Sequence, residues 1–302
     1  MSRPKVLLIG CDGQVGWELQ RALAVFADIT ATSLCGRYGY ALDLLDTSAI
    51  AEAVKSVKPD YIVNAAAHTA VDKAESEHDL ARRLNADAPE LLAQLAQQSG
   101  AVMIHYSTDF VFSGEHQSPY RETDNTGPLG VYGQTKLEGE ERVLATGADA
   151  LIFRTSWVYG NHGHNFLKTM LRLFRERDEL NVVDDQVGAP TWSRMIAEAT
   201  GQVLGQLHAG IADAAERKGL YHLTNGGETS WYGFASAILA LSGETCQINP
   251  ITTDQYPTPA RRPAYSVLDN GLLSQVFGIQ LPAWHQSLTH CMEDRGLIQT
   301  QG

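Results

Sequence analysis

A short apolar segment followed by three regularly spaced glycines constrains the fold of this chain more than any other feature. Residues 4–10 read P-K-V-L-L-I-G, which predicts a buried parallel strand. Gly10, Gly13 and Gly16 then open a segment with apolar residues at helical spacing. Glycines in such a turn let the backbone approach a pyrophosphate, and the helix N-terminus supplies N–H donors. The pattern therefore predicts a dinucleotide-binding unit, with a purely structural glycine turn as the alternative.

Strands and helices alternate over the rest of the first half. Residue patterns predict strands at 28–34, 60–64, 101–107 and 150–155, and helices at 47–57, 77–99 and around Tyr132. This alternation predicts an α/β fold of Rossmann type, a doubly wound parallel sheet with helices on both faces. Ligands of such sheets lie at the carboxyl ends of the strands. The rule gathers Gly10, residues 64–69, residues 107–109 and the segment of Trp157 along one rim.

The alternation loosens after about residue 160. Helical spacing recurs at residues 164–177, 192–207 and 230–242, between loops that contain several prolines. We therefore predict a dinucleotide-binding Rossmann domain over residues 1–160. Residues 161–302 are predicted to form mainly a smaller C-terminal substrate-binding lobe, with some segments returning to the Rossmann sheet.

Tyr132 and Lys136 stand four residues apart in a segment that is predicted to be helical, so both side chains share one helix face. An ammonium beside a tyrosine hydroxyl is expected to lower the tyrosine pKa from about 10, which equips the hydroxyl to give or take a proton. The pair therefore indicates interconversion of an alcohol and a carbonyl. Tyrosine and lysine also occur at this spacing by chance on many helices.

Charge and cysteine usage exclude several functional classes. The formal net charge of −12 argues against a nucleic-acid partner or an acidic membrane surface. No apolar run reaches the ~18 residues of a membrane span, and the four scattered cysteines lack a C-x-x-C pair. We expect a cytoplasmic protein without zinc or disulfides. Arg261 and Arg262, framed by prolines, are candidates for binding a diphosphate, or else are solvated.

Six segments together resemble the dTDP-4-dehydrorhamnose reductases of the extended short-chain dehydrogenase/reductase superfamily. They read G-C-D-G-Q-V-G-W-E-L-Q, V-N-A-A-A-H-T-A-V-D-K-A-E, S-T-D-F-V-F-S-G, Y-G-Q-T-K-L-E-G-E, R-T-S-W-V-Y-G and V-D-D-Q-V-G-A-P-T, in order over roughly residues 4–191. The resemblance implies reduction of the C4 ketone of dTDP-4-dehydro-β-L-rhamnose by NADPH or NADH. That is the last step of dTDP-L-rhamnose synthesis for cell-surface polysaccharide, such as the lipopolysaccharide O-antigen.

The resemblance also implies roles for individual residues. Tyr132 would donate the proton, Lys136 would lower its pKa and hold the nicotinamide ribose, and Thr108 would place a hydroxyl at the substrate carbonyl. Asp109 and Trp157 match substrate-contacting positions. The predicted cofactor-binding residues are Gly10, Gly13, Gln14, Val15, Gly16, Ser33, Arg37, Asp43, Leu44, Ala66, Ala67, His68, Thr69, Tyr132 and Lys136.

The end of the second predicted strand bears on the choice of cofactor. Folds that select NAD place an acid there, which binds the ribose 2′-hydroxyl and repels a 2′-phosphate. Ser33 occupies this position, and Arg37 follows in a glycine-flanked loop. A guanidinium can bind the 2′-phosphate bidentately, so we expect a preference for NADPH over NADH. The alternative is that Arg37 is an exposed surface arginine.

The sequence differs from the family in one metal-binding pattern. Some members of the family are described as homodimers joined through magnesium held by glutamates, and Glu18 and Glu293 fit that pattern. Arg194 stands where the third acid would align, and an arginine repels a cation. We therefore assign no metal ligand and keep the homodimer as an expectation. His105, inside an apolar strand, is predicted to be a hydrogen-bonded core residue rather than a ligand.

Two alternative functions remain open at this stage. One is another nucleotide-sugar reductase, epimerase or dehydratase of the same superfamily, although a dehydratase would need a glutamate where Phe110 follows Asp109. The other is a regulatory subunit that binds a dinucleotide without turnover. The presence of Thr108, Tyr132 and Lys136 argues against this second alternative.

Overall fold

The computed structural model describes residues 2–296 and is organised around one parallel sheet. The strands are β1 (Lys5–Ile9), β2 (Asp28–Ser33), β3 (Tyr40–Ala41), β4 (Tyr61–Asn64), β5 (Val102–Thr108), β6 (Ala150–Thr155), β7 (Val158–Tyr159), β8 (Glu179–Val183), β9 (Val187–Gly188), β10 (Thr191–Trp192), β11 (Gly219–His222), β12 (Thr229–Ser230) and β13 (Gln247–Ile251). The central sheet has the order β11-β6-β5-β4-β1-β2-β3, with every neighbouring pair parallel. The strand order reverses direction at β1, which creates the crevice where such sheets bind ligands.

Helices cover both faces of this sheet. They are α1 (Gln14–Ala24), α2 (Thr47–Val57), α3 (Val71–Ala74), α4 (His78–Arg82), α5 (Ala88–Ser99), α6 (Val131–Ala145), α7 (Phe166–Glu176), α8 (Ser193–His208), α9 (Ala214–Arg217), α10 (Trp231–Ser242), α11 (Gly271–Phe277) and α12 (Trp284–Asp294). α1 and α8 bury Leu19 and Ile196 against one face, while α2 and α5 bury Ile50 and Leu92 against the other. The predicted doubly wound α/β fold is confirmed.

One predicted helix is interrupted. The sequence predicts a single helix over residues 77–99, whereas α4 and α5 are joined by a π-helical turn, Arg83–Asp87. The turn places the backbone carbonyl of Asn85 against Gly139 of α6, where a Cβ atom would overlap it. Helical periodicity in a sequence does not reveal one extra residue in a turn, so this feature was missed.

The second half of the chain has its own core but also contributes to the sheet layer. α7, α10 and α12 bury Phe174, Phe234 and Leu288 in a separate cluster. β11 pairs with β6 at the edge of the central sheet, and α8 packs beside α1. The boundary at residue 160 remains a prediction. Within residues 2–296, no helix is both long and apolar enough to cross a membrane.

The close contact at Gly139 generates a stability prediction. We expect Gly139→Ala to lower the free energy of unfolding by about 1–3 kcal/mol, because the new methyl group collides with the Asn85 carbonyl. The matched control is Gly205→Ala in α8, where nothing lies within 4 Å of the added Cβ. That variant should be stabilised by about 0.4–1 kcal/mol. Urea denaturation measures both, and equal effects at the two positions would contradict the prediction.

Candidate active site

The N-terminus of α6 is capped by a side chain from another part of the chain. The N-cap residue, Gly130, makes no side-chain cap, and the backbone N–H of Val131 donates to Glu75 Oε1 at 2.8 Å. A Cβ at Gly130 would lie 2.5 Å from the same oxygen. Glu75 therefore fixes the position of the first turn of α6, which carries Tyr132.

Lys136 lies one turn further along α6 and is almost fully buried. Its Nζ donates to the carbonyl oxygen of Tyr106 at 2.6 Å and lies 3.4 Å from His105 Nε2. Burial lowers the pKa of Lys136 to about 8, although the negative charge of Glu140 opposes the shift. The amine is thus held at the end of β5 by a backbone acceptor, as a buried amine requires.

The structure corrects one expectation about Tyr132. Burial raises the pKa of Tyr132 to about 12, a shift that a hydrogen bond with Thr108 opposes and the charge of Asp109 reinforces. The predicted lowering of this pKa by Lys136 is wrong for this arrangement. Desolvation of the phenolate dominates, and the lysine amine is directed to the Tyr106 carbonyl instead.

Thr108 and Asp109 lie side by side where β5 ends. The Thr108 hydroxyl donates to Asp109 Oδ1 at 3.1 Å and accepts from the N–H of Phe110 at 3.2 Å. Asp109 is only 2% exposed, and burial raises its pKa to about 6 despite the nearby hydroxyls of Ser266 and Thr108. Its Oδ2 has no hydrogen-bond partner of normal geometry among the described residues. Thr108 and Asp109, which are buried, therefore form one polar group with the partly exposed Tyr132 at the rim.

The glycine turn after β1 has the shape that a pyrophosphate requires. Gly10 has a φ of +82°, and a Cβ there would lie 2.7 Å from the Ala66 nitrogen. Gly16 packs against the Gly10 carbonyl, so it too must lack a side chain. α1 begins after Gly13 without a side-chain cap, which leaves its first N–H groups available to an anion. These residues fit a dinucleotide, with the phosphates at the N-terminus of α1.

The other predicted cofactor residues lie at the same rim, in the first turn of α1 or on loops. Gln14 begins α1, and its side chain is held by the Val158 carbonyl of β7 and by Asn165. After β4, the N–H of Ala66 donates to Asn64 Oδ1 at 3.1 Å. Val15 lies in the first turn of α1, Ala67, His68 and Thr69 follow Ala66, and Asp43 and Leu44 follow β3.

The end of β2 places Ser33 and Arg37 in one turn. Ser33 is buried, and its hydroxyl donates to the Arg37 carbonyl at 2.9 Å, which stabilises the turn. Arg37 itself is exposed, and its guanidinium carbon lies 5.0 Å from the centroid of the Tyr38 ring. Its guanidinium is therefore accessible to an anionic ligand.

The Trp157 indole is partly buried between Trp231 and the backbone of Gly188. It has a φ of +46°, which is rare for a tryptophan. Trp231 stacks on one face with ring centroids 3.6 Å apart. A Cβ at Gly188 would lie 2.5 Å from Trp157 Cε2, so the backbone of Gly188 packs directly against the indole. Trp231 covers one face of the ring, and the exposed part of this half-buried indole is available to a substrate.

Two groups of charged residues are already paired. Arg262 bonds Asp72 at 2.9 Å, while its neighbour Arg261 is exposed. Arg194 bonds Glu18 at 3.3 Å and Asp294 at 3.0 Å. Glu293 instead contacts the imidazole of His290. No group of three or more His, Cys, Asp or Glu side chains that could hold a metal ion is found within residues 2–296. The Arg194 guanidinium on Glu18 and Asp294 would repel a cation there, so these side chains do not fit magnesium.

Sequence reasoning missed residues that link the loops of the site. Asn85, in the π-helical turn, accepts from the His68 N–H at 2.8 Å and donates to the Thr135 hydroxyl of α6 at 3.1 Å. Asn64 contacts Ala66 and His105. Both asparagines lie in or just beyond apolar patterns, and nothing in the spacing indicates their bonds. His105 is hydrogen-bonded in the core, as its apolar strand context predicted.

Comparisons with known proteins agree over nearly the whole chain. Residues 4–296 match the family model described as the RmlD substrate binding domain. A dTDP-4-dehydrorhamnose reductase of Burkholderia thailandensis is 46% identical, with 96% of this chain and 98% of the relative covered. A crystal structure of a dTDP-4-dehydrorhamnose reductase from Clostridium acetobutylicum superposes with a TM-score of 0.88 at 38% identity, covering 97% and 99% of the two chains. One from Bacillus anthracis, in complex with NADP, has a TM-score of 0.88 at 33% identity and covers 97% and 100%.

The buried carboxyl group of Asp109 generates a pH prediction. Its pKa in the folded protein, about 6, exceeds the ordinary aspartate value of 3.8. Between these two pH values the folded state therefore binds more protons than the unfolded state, and stability falls as pH rises. We expect Asp109→Asn to stabilise the protein by about 1–3 kcal/mol at pH 8 and by much less at pH 4.5. Calorimetry at both pH values measures the difference. An equal change in Tm at the two values would contradict the prediction.

Proposed function

This chain belongs to the dTDP-4-dehydrorhamnose reductase family, and we propose on that basis that it reduces the C4 ketone of dTDP-4-dehydro-β-L-rhamnose to dTDP-β-L-rhamnose. The reaction is the last step of dTDP-L-rhamnose synthesis, and it is an NAD(P)H-dependent oxidoreduction. The observation that carries the proposal is the full-length match to reductases of this one activity. NADPH supplies the hydride when bound, and the protein supplies position and a proton.

We assign the proton to Tyr132. Because its pKa lies well above neutrality, this side chain is protonated at working pH and can donate to an alkoxide that forms at C4. Thr108 lies near enough to hydrogen-bond the tyrosine and can also orient the carbonyl oxygen. Asp109, with Oδ2 free of protein donors of normal geometry among residues 2–296, can accept from a sugar hydroxyl. Trp157 would contact the sugar by the exposed part of its indole.

We assign the cofactor to the glycine turn and its neighbouring loops. The open first turn of α1 would hold the pyrophosphate, and Gly10 and Gly16 allow its close approach. Lys136, buried beside the tyrosine, would hold the nicotinamide ribose. Two features support NADPH as the preferred cofactor. Position 33 carries a serine and not an acidic residue, and the guanidinium of Arg37 is exposed.

Location and assembly are further proposals. The four cysteines are free thiols, which is typical of a reducing compartment and supports a cytoplasmic enzyme. A homodimer rests on family resemblance alone. The Arg194 pairs with Glu18 and Asp294 support an assembly that does not depend on magnesium.

The assignment of Tyr132 is tested by removing only its hydroxyl. We expect Tyr132→Phe to lower kcat by about 10²- to 10⁴-fold, the usual contribution of a general acid, with the Kd for NADPH nearly unchanged. The measurements are single-turnover reduction of freshly prepared dTDP-4-dehydro-L-rhamnose and a cofactor titration. Tyr256→Phe, at a residue that is 60% exposed, is the matched control and should retain wild-type turnover. A Tyr132→Phe enzyme with more than half the wild-type rate would refute the assignment.

The cofactor preference is tested at Arg37. A bidentate contact with the 2′-phosphate contributes about 1.5–3 kcal/mol, so we expect kcat/KM for NADPH to exceed that for NADH by about tenfold or more. Arg37→Ala should remove most of this preference and leave the NADH kinetics nearly unchanged. Arg121→Ala, at another exposed arginine, is the control and should retain the preference. Equal use of both cofactors by the wild type, or discrimination that survives in Arg37→Ala, would contradict the role.

A further inference from the structure

A line of buried polar groups leads from the loop after β4 to the amine of Lys136. Asn64 of β4 and His105 of β5 are register partners, so their side chains lie on the same face of the sheet. Both are fully buried, and Lys136 approaches them from α6 with 2% of its surface exposed. Polar groups that are buried to this degree are normally hydrogen-bonded to one another.

The orientation of the Asn64 amide is determined by a backbone group. The N–H of Ala66 donates to one amide atom at 3.1 Å, so that atom must be the oxygen Oδ1. The NH₂ group therefore faces His105 Nδ1, at 3.2 Å. A ring nitrogen that accepts this hydrogen bond carries no proton, and the proton of a neutral imidazole then lies on Nε2.

His105 is neutral at working pH. Burial and the neighbouring Lys136 hold its pKa well below the usual range, and the carbonyl of Asn64, also near the ring, only partly opposes this. Its Nε2–H then points toward Lys136 Nζ, 3.4 Å away, while Nζ donates to the Tyr106 carbonyl at 2.6 Å. In this line of hydrogen bonds, every donor meets an acceptor when the lysine is a neutral amine. An ammonium would place two N–H groups against each other.

We propose that His105, held as its Nε2–H tautomer by Asn64, is a positioning residue that donates to Lys136 and stabilises the neutral form of its amine. The groups that act on the amine are His105 and the Tyr106 carbonyl on β5, and Glu140 on α6. Of these, Glu140 favours the ammonium, but it is itself bonded to Arg154 at 2.9 Å. His105 acts in the opposite sense to Glu140.

This arrangement prepares Lys136 to replace the proton that Tyr132 gives away, a consequence that rests on the proposed reductase function. During reduction the Tyr132 O–H bond breaks and an O–H bond forms at the sugar C4 oxygen. The Lys136 ammonium then gives a proton to the phenolate, which restores the Tyr132 O–H bond. The neutral amine that remains accepts the Nε2–H of His105 until solvent returns a proton. The net change is one proton from solvent to the sugar oxygen.

The tautomer is measured directly on the full-length protein without substrate, so this test is independent of the enzymatic function. Long-range proton–nitrogen NMR spectra of histidine-labelled protein distinguish the two ring nitrogens. We expect His105 to show a protonated Nε2 and an unprotonated Nδ1 throughout pH 6–9. A protonated Nδ1, or an imidazolium, within that range would overturn the proposal.

The link to Lys136 is tested by reversing the tautomer. In Asn64→Asp both side-chain oxygens accept, one from the Ala66 N–H and one from His105 Nδ1–H, which leaves the Nε2 lone pair facing Lys136. The NMR signals should then exchange, and the alkaline limb of the kcat profile should move up by about one pH unit, a tenfold change in acidity. If the alkaline limb moves while the His105 tautomer is unchanged, the effect comes from the added charge, and the proposed link from His105 to Lys136 is overturned. The link is also overturned if the tautomer exchanges and the limb does not move.

Removal of the ring separates positioning from folding. We expect His105→Phe to lower single-turnover kcat by about tenfold, while the Kd for NADPH stays within twofold. His105→Gln should recover part of this loss, because its amide nitrogen can reach the position of the His105 Nε2 atom. The matched control is His222→Phe, at another fully buried histidine of the sheet, which should lower Tm without moving the pH profile. Equal losses in NADPH binding and kcat for His105→Phe, or no recovery in His105→Gln, would show a merely structural role.

Discussion

The position of α6, the helix that carries Tyr132 and Lys136, depends on two backbone contacts that only glycine allows. Gly133 of α6 packs against the carbonyl of Phe110, and Gly139 packs against the carbonyl of Asn85. Each glycine inside a helix costs about 0.5–1 kcal/mol relative to alanine. The two glycines therefore make α6 intrinsically less stable, but they allow the Phe110 and Asn85 carbonyls to approach its backbone closely. The first contact brings Tyr132 toward the end of β5, and the second joins the helix to the π-helical turn. Asn85 in that turn also bonds the backbone of His68, so the helix and the loop after β4 are held as one unit.

Burial determines the chemistry of the site more than neighbouring charge does. It raises the pKa of Asp109 to about 6 and that of Tyr132 to about 12, and it lowers the pKa of Lys136 to about 8. All three shifts favour the neutral form of the group. Glu140 would stabilise the ammonium of Lys136, but a bidentate bond with the buried guanidinium of Arg154 already compensates its charge. Tyr132 is therefore protonated at neutral pH, while the pKa values of Asp109 and Lys136 lie on either side of neutrality, so both groups can gain or lose a proton near working pH.

The sequence predicted the features that follow from local rules. The glycine turn after β1, the alternation of strands and helices, and the shared face of Tyr132 and Lys136 were all readable from spacing, because steric and helical periodicities act over few residues. The predicted direction of the Tyr132 pKa shift was wrong, because residue spacing gives no information about desolvation. The π-helical turn and the Asn64–His105 contact were missed for a related reason. Both are determined by groups 41 or more residues apart in the chain, and a single sequence carries no record of such contacts.

The position of Trp157 is determined by residues from the second half of the chain. Its left-handed backbone costs about 1–3 kcal/mol and persists only where the surroundings determine it. Those surroundings are Gly188 in β9 and Trp231 just after β12, and these two strands pair with each other. The indole is thus held by a two-stranded sheet from the second half, while the residues assigned to proton transfer stand on β5 and α6. Substitutions in the β9–β12 pair should therefore change the position of the Trp157 indole without moving β5 and α6, because β9 and β12 form a sheet separate from the one that contains β5.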